Sequence, residues 1–141
     1  MMTKITNYEN ELKTKNLKVT PQRVAILKEI ESSGHISIED IYDRIKKTYP
    51  SISLATVYKN INTMQDAHIL RSVKAPSQKQ KFELCDDKHV HVSCQKCGRL
   101  EDVRLDMSEV MKTCANETGY DIYDVSTIFI GICPECKKEL P

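Results

Sequence analysis

The chain has no internal repeat, no low-complexity segment and no apolar run approaching membrane-spanning length. These absences exclude solenoids, linker-like arrays and membrane-spanning helices. The stretch from Met1 to Asn16 is polar and charged, so no secretory signal is expected and the cytoplasm is the expected location, with no membrane partner. Tryptophan is missing, phenylalanine occurs twice and glycine four times. With 40% hydrophobic residues over 141 positions, the chain is sized for one ordinary domain or two small ones with modest cores. Net charge is almost absent as well, +1 at pH 7, but it is unevenly placed. Residues 1–84 carry 14 Lys and Arg against 9 Asp and Glu, a balance of +5, whereas residues 85–141 carry 7 against 11, a balance of −4. A basic half suited to a polyanion and an acidic half with another task fit this split, with ordinary solvated faces as the alternative.

Metal-binding side chains are what the chain does contain. Cys94-Gln-Lys-Cys97 and Cys133-Pro-Glu-Cys136 are two CxxC pairs separated by 35 residues. A two-residue spacer lets both sulfurs of a pair enter one coordination shell, and four thiolates complete the closed tetrahedron of a structural zinc site. Two redox dithiols or two disulfides are the alternatives, weakened by the absence of secretory features. Cys85 and Cys114 remain outside the pairs. Cys85 reads as a small buried hydrophobe or a redox sensor, and Cys114, on an expected helix, as a packing residue.

The first half reads as three helices and a hairpin. Thr20-Pro21 starts a helix with Val24, Ile26, Leu27 and Ile30 on its apolar face and Gly34 as its stop. Ser37-x-x-Asp40 opens a second, with Ile38, Ile41 and Ile45, ended by Pro50. A third follows Ser53, with apolar positions Leu54, Val57, Ile61 and Met64 and an opposing stripe of Thr56, Lys59, Asn60 and Thr63. Ile69–Val73 and Gln80–Leu84 then read as strands around a Pro76-Ser77-Gln78-Lys79 turn. That order is a winged helix-turn-helix or a generic bundle with a hairpin. The polar stripe suits base edges and phosphates, and Arg71, Lys74, Lys79 and Lys81 on the wing suit the DNA backbone.

The second half reads as a small α/β unit: strands at Val90–Cys94 and Leu100–Leu105, a helix at Ser108–Thr118, and a strand at Val125–Ile132. Ile128, Phe129, Ile130 and Ile132 make that last strand apolar on both faces, and a dimer partner is one source of cover. His89 and His91 are two apart on the first of these strands, so both rings leave one face and suit one ion. Asp102 on the next strand is within reach, and Glu83 ends the wing just before the pair. Nitrogen and carboxylate donors suit iron, manganese, nickel or zinc.

Thr20-Pro21-Gln22-Arg23, Ser53-Leu54-Ala55-Thr56-Val57-Tyr58, Phe82-Glu83-Leu84, His89-Val90-His91 and the two CxxC pairs together resemble the Fur family of metal-dependent repressors, over essentially the whole chain. The resemblance implies a homodimer of α+β chains. Residues 1–84 would form a winged-helix DNA-binding domain, and residues 85–141 a small α/β dimerisation domain with structural zinc on Cys94, Cys97, Cys133 and Cys136. It implies regulatory Fe(II) or Mn(II) held by His35, Glu83, His89, His91 and Asp102, joining the two halves across a hinge at Cys85–Lys88. Double-stranded DNA with a pseudo-palindromic operator is the implied partner, with Lys18, Arg23, Thr56, Tyr58, Lys59, Asn60 and Thr63 as contact candidates.

Asp102 and the Ser-Leu-Ala-Thr-Val-Tyr-Lys-Asn run resemble the peroxide-sensing members, in which His35 or His89 would be oxidised. Glu83 resembles the iron-sensing ones. A further metal site of many relatives is expected to be absent, since Lys88, Val90 and Val125 stand where ligands would be, although Glu109 remains. His68 matches no ligand position.

An enzyme is the rival from another class, a thiol-disulfide oxidoreductase using the CxxC pairs. Its active pair opens a helix after a strand, and neither pair is expected to sit that way. A zinc-ribbon module without DNA binding leaves the basic half unexplained.

Overall fold

The computed structural model describes residues 7–85 and 89–139. The described elements are helices α1 (Tyr8–Thr14), α2 (Pro21–Ser33), α3 (Ile38–Thr48), α4 (Leu54–Asp66), α5 (Ser108–Thr118) and α6 (Pro134–Lys137), and strands β1 (Ile36–Ser37), β2 (Leu70–Val73), β3 (Lys81–Leu84), β4 (Val90–Cys94), β5 (Leu100–Val103) and β6 (Ile128–Gly131). The chain divides into two compact units, Met1–Lys74 with Lys79–Asp87 and Ala75–Gln78 with Lys88–Pro141. The expected hinge falls largely on Asp86–Lys88, and Lys88 also figured in the expected loss of a further metal site; those residues lie outside the described ones.

The first unit is built from capped helices. Thr20, Ser37 and Ser53 each accept a hydrogen bond from the backbone N–H three residues on, those of Arg23, Asp40 and Thr56. A cap of this kind is worth about 1 kcal/mol and sets the first residue of each helix. Gly34, at φ +79, ends α2, with its N–H on the Ile30 carbonyl. The helices converge on an apolar core in which Leu12, Ile26, Leu27, Ile30, Ile41, Val57, Ile61 and Met64 are fully buried. Leu54, expected on that face, is 39% exposed because it lies at the first position of α4, before the helix meets its neighbours. α1 was not expected: it contributes one buried side chain, Leu12, and is started by Asn7, whose side chain accepts from Asn10. The sheet order β1-β3-β2 makes β2 and β3 a hairpin and adds β1 to its far edge. Helices α2 to α4 with this hairpin have the order of a winged helix-turn-helix.

The second unit has β4 in the centre of the order β5-β4-β6, antiparallel to β5 and parallel to β6, with α5 on the crossover. Its two outer strands are shorter than expected: Leu100–Val103 rather than Leu100–Leu105, and Ile128–Gly131 rather than Val125–Ile132. No residue of α5 is buried. Cys114, expected to pack, is exposed on that helix, and Phe129 and Ile130, expected to be covered on both faces, are exposed in the single chain. Among the described residues of this unit, the buried side chains are Ala75, Val90, His91, Ser93 and the cysteines Cys94, Cys133 and Cys136, so Ala75 and Val90 are its only buried aliphatics. So small a core needs a staple.

Candidate metal centres and nucleic-acid face

The staple is visible in the cysteine geometry. Cys94 closes β4, Cys97 follows in the turn, Cys133 caps α6 and Cys136 lies on it. The four sulfurs all lie within 4.8 Å of one another. Cys97 Sγ and Cys133 Sγ are 3.8 Å apart. With zinc–sulfur bonds of about 2.3 Å, the edge of a tetrahedral four-thiolate site is about 3.8 Å, whereas a disulfide requires about 2.05 Å. The backbone N–H groups of Cys97 and Cys133 both point at Cys94 Sγ, at 3.4 Å each. They stabilise the thiolate and lower the Cys94 pKa to about 6. Cys136 goes the other way, raised to about 12 by its hydrogen bond with Cys133 and by burial. The donor set fits zinc, and the knuckle is tight: Gly98, at φ +80, abuts the Gln78 side chain, so a Cβ there would approach Nε2 to 2.7 Å. One expectation is corrected here. The second pair does open a helix after a strand, since Cys133 caps α6 just beyond β6, although α6 is only 4 residues long.

A second constellation occupies the other end of β4 in the same unit. His89 Nε2 lies 3.1 Å from His91 Nε2, with the rings at 78° to each other. Asp102 Oδ1 is 3.6 Å from the first nitrogen and 3.5 Å from the second. Metal–nitrogen bonds of about 2.1 Å place two ligands at a right angle about 3.0 Å apart, so the imidazole pair matches one coordination sphere. The β4–β5 register sets Asp102 directly opposite His91. His91 is buried, whereas the Asp102 side chain is half exposed.

In the first unit, His35 and Glu83 are neighbours for the same kind of reason. β1 pairs with β3 with Ile36 opposite Phe82 and Ser37 opposite Lys81, and this register brings His35, the residue just before β1, beside Glu83. Their Nε2 and Oε1 are 3.9 Å apart, and Glu83 is buried. Thus His35 and Glu83 meet in one unit, and His89, His91 and Asp102 in the other. His68 is exposed, at φ 60.

The outer face of α4 is rotated slightly from expectation. Ala55, Tyr58, Lys59 and Asn62 are its exposed stripe, with Tyr58 at 45%, and Thr56 is exposed near the start of the helix. Asn60 and Thr63 lie half-buried at its margin. Thr63 Oγ1 donates to the Lys59 carbonyl, and Thr56 Oγ1 is paired with Ser53 Oγ. Ala55 and Asn62 were missed, although their spacing around Tyr58 at three and four residues was a usable signal. Lys18 is exposed and Arg23 half-buried. On the wing, Lys74 and Lys79 are exposed, whereas Arg71 is half-buried opposite Glu83 in the β2–β3 ladder.

Comparison with known proteins places these features. The model of the ferric uptake regulator family matches residues 14–130. The peroxide-responsive repressor PerR of Staphylococcus epidermidis is 30% identical over 130 residues, covering 91% of this chain and 87% of that protein. The crystal structure of the Campylobacter jejuni peroxide stress regulator superposes with a TM-score of 0.72 at 35% identity, covering 93% of this chain and all of that one. The structure of the ferric uptake regulator from Pseudomonas aeruginosa with manganese gives a TM-score of 0.74 at 26% identity, covering 90% and 98%.

Proposed function

The chain belongs to the ferric uptake regulator family, and from that premise we propose that it is a metal-dependent, DNA-binding transcriptional repressor that responds to peroxide. The convergence of His89, His91 and Asp102 within 3.1–3.6 Å carries the reading, in a chain whose relatives include peroxide-responsive repressors. The protein is a regulator rather than an enzyme, and zinc on Cys94, Cys97, Cys133 and Cys136 has a structural role.

Residues 1–84 form the DNA-binding domain, and residues 85–141 the dimerisation and metal-binding domain. His35 and Glu83 from the first, with His89, His91 and Asp102 from the second, are the ligands of one regulatory Fe(II) or Mn(II). Bringing both ligand groups to one centre selects one arrangement of the two domains among those the linker permits. Shifting such an equilibrium from mostly open to mostly closed takes about 5 kcal/mol of differential binding, within reach of five ligands. In a dimer, the selected arrangement sets the spacing of two α4 helices against successive major grooves of a pseudo-palindromic operator. Lys18, Arg23, Thr56, Tyr58, Lys59, Asn60 and Thr63 line that interface. Homodimerisation is supported by the bare apolar side chains of β6, and a cytoplasmic location follows from the need to reach DNA. Among the described residues, no helix is long and apolar enough to cross a membrane.

Bound Fe(II) would activate hydrogen peroxide, whose reduction would draw its two electrons from the ring that is oxidised, and Mn(II) would bind without doing so. His35 or His89, as a ligand, is the group positioned to be oxidised. One peroxide oxygen enters the ring, the other leaves as water, and the altered ring no longer binds the ion. Glu83, which resembles the iron-sensing members, supports the alternative of iron-responsive repression.

Anaerobic loading with Fe(II) or Mn(II), followed by peroxide, separates the two. Loss of operator binding with one added oxygen on the peptide holding His35 or His89, for iron only, supports peroxide sensing. Retained binding with unmodified peptides overturns it in favour of iron sensing.

A further inference from the structure

Asn60 stands on the helix expected to enter the DNA groove, but both ends of its amide are already committed inside the protein. Its Oδ1 accepts from Arg23 Nε at 2.9 Å, and its Nδ2 donates to the Thr56 carbonyl at 3.0 Å. The orientation is fixed by chemistry, since a guanidinium only donates and a carbonyl only accepts. Arg23 is held at a second point, with Nη1 donating to the Lys18 carbonyl at 2.8 Å. The guanidinium therefore bridges the segment before α2, the first turn of α2 and the middle of α4. Its Nη2 takes no hydrogen-bond partner among the described residues. A rigid fork with donors to spare suits a phosphate, and an amide so engaged is poorly placed for the paired contact with adenine that a free Asn makes.

We propose that Asn60 is a positioning residue that reads no base and holds Arg23 so that its remaining donors meet a DNA phosphate beside the groove entered by α4. This rests on the DNA-binding reading above.

The test uses the Mn(II)-loaded protein and a duplex that the wild type enriches from a randomised library. Asn60→Ala is expected to weaken binding about tenfold on that duplex and equally on its single-base variants. The slope of log affinity against log salt should shrink by about 0.9, the signature of one lost phosphate contact. In an Arg23→Lys background, which keeps the charge but lacks Nε, adding Asn60→Ala should change affinity less than about twofold. Asn60→Asp, which keeps the acceptor for Arg23, should preserve the wild-type base preferences. A change of preference at one base pair, or a tenfold loss that persists in the Arg23→Lys background, overturns the assignment. If the wild type enriches no duplex, the DNA-binding reading itself fails, which is a distinct result.

Discussion

His91 and Asp102 are register partners across the β4–β5 ladder, with Nε2 and Oδ1 3.5 Å apart. Backbone pairing, rather than a search among rotamers, brings the carboxylate to the imidazole, so little ordering entropy remains to be lost when an ion binds. Asp102→Ala should therefore lower Mn(II) affinity by about tenfold or more while leaving zinc content unchanged. Titration calorimetry with Mn(II) on the zinc-loaded protein measures the first, and elemental metal analysis the second. An unaltered Mn(II) affinity would remove Asp102 from the ligand set.

Cys97 and Cys133 come from different knuckles, so their 3.8 Å separation ties two segments that share few apolar contacts. Replacing either by serine removes one thiolate from a closed site. Cys97→Ser should reduce zinc from about one per chain to a small fraction. Because the surrounding core is slight, the second unit should then lose its cooperative unfolding transition. Metal analysis and thermal unfolding followed by circular dichroism report the two effects, and a zinc-free variant that still melts cooperatively would show that the unit does not depend on its staple.

The unlike cysteine environments make zinc uptake depend on pH in a specific way. Cys94, lowered to about 6, is already a thiolate at neutral pH, whereas Cys136, raised to about 12, still holds its proton. Loading the reduced, zinc-free protein at pH 7.5 should release the proton of Cys136 but almost none from Cys94. For Cys94, a depressed folded value means that its stabilising effect is fully present above its ordinary value of 9.0 and is lost as pH falls through about 6. Proton release followed with an indicator dye should rise as the starting pH is lowered towards 6, as Cys94 begins to contribute. A release independent of pH across that range would contradict the unequal environments.

Much of the first unit could be read from its residues because caps and helical spacing are local. Thr20, Ser37 and Ser53 start the three helices as expected, and Ile26, Ile41 and Ile61 are buried where the period puts them. α1 escaped because its seven residues bury only Leu12, too little to show a period. The facing of His35 on Glu83 depends on how the short strand β1 registers against β3, a non-local fact that no spacing reveals. The exposure of Cys114 and of β6 has a related cause: in a unit with so few buried side chains, an apolar pattern does not specify whether its own chain supplies the cover. Cys94 and Cys133 differ again, since CxxC spacing announces itself at any separation, and the fold needed only to bring the pairs together.

Ile61 is fully buried on the inner side of α4, one residue beyond Asn60. Ile61→Ala should cost about 2–5 kcal/mol of stability, because both transfer energy and packing around the void are lost. Urea unfolding of the zinc-loaded protein should show a lower midpoint with a similar slope. A cost below about 1 kcal/mol would mean that α4 is packed more loosely than its burial implies.

Phe129 and Ile130 are consecutive on β6, so their side chains leave opposite faces of the sheet, and they are 46% and 53% exposed. A strand that is apolar on both faces needs cover on both, and β6 is also the edge of its sheet. A second copy meets both needs through a self-complementary two-fold contact. Burying either side chain is worth about 1.5–3 kcal/mol, and a two-fold axis counts each substitution twice. Ile130→Glu should therefore convert a species of twice 16.2 kDa into one of 16.2 kDa at micromolar concentration, as read by light scattering. Zinc content should be retained, which separates a lost interface from a collapsed unit. A variant that stays dimeric would move the interface away from β6.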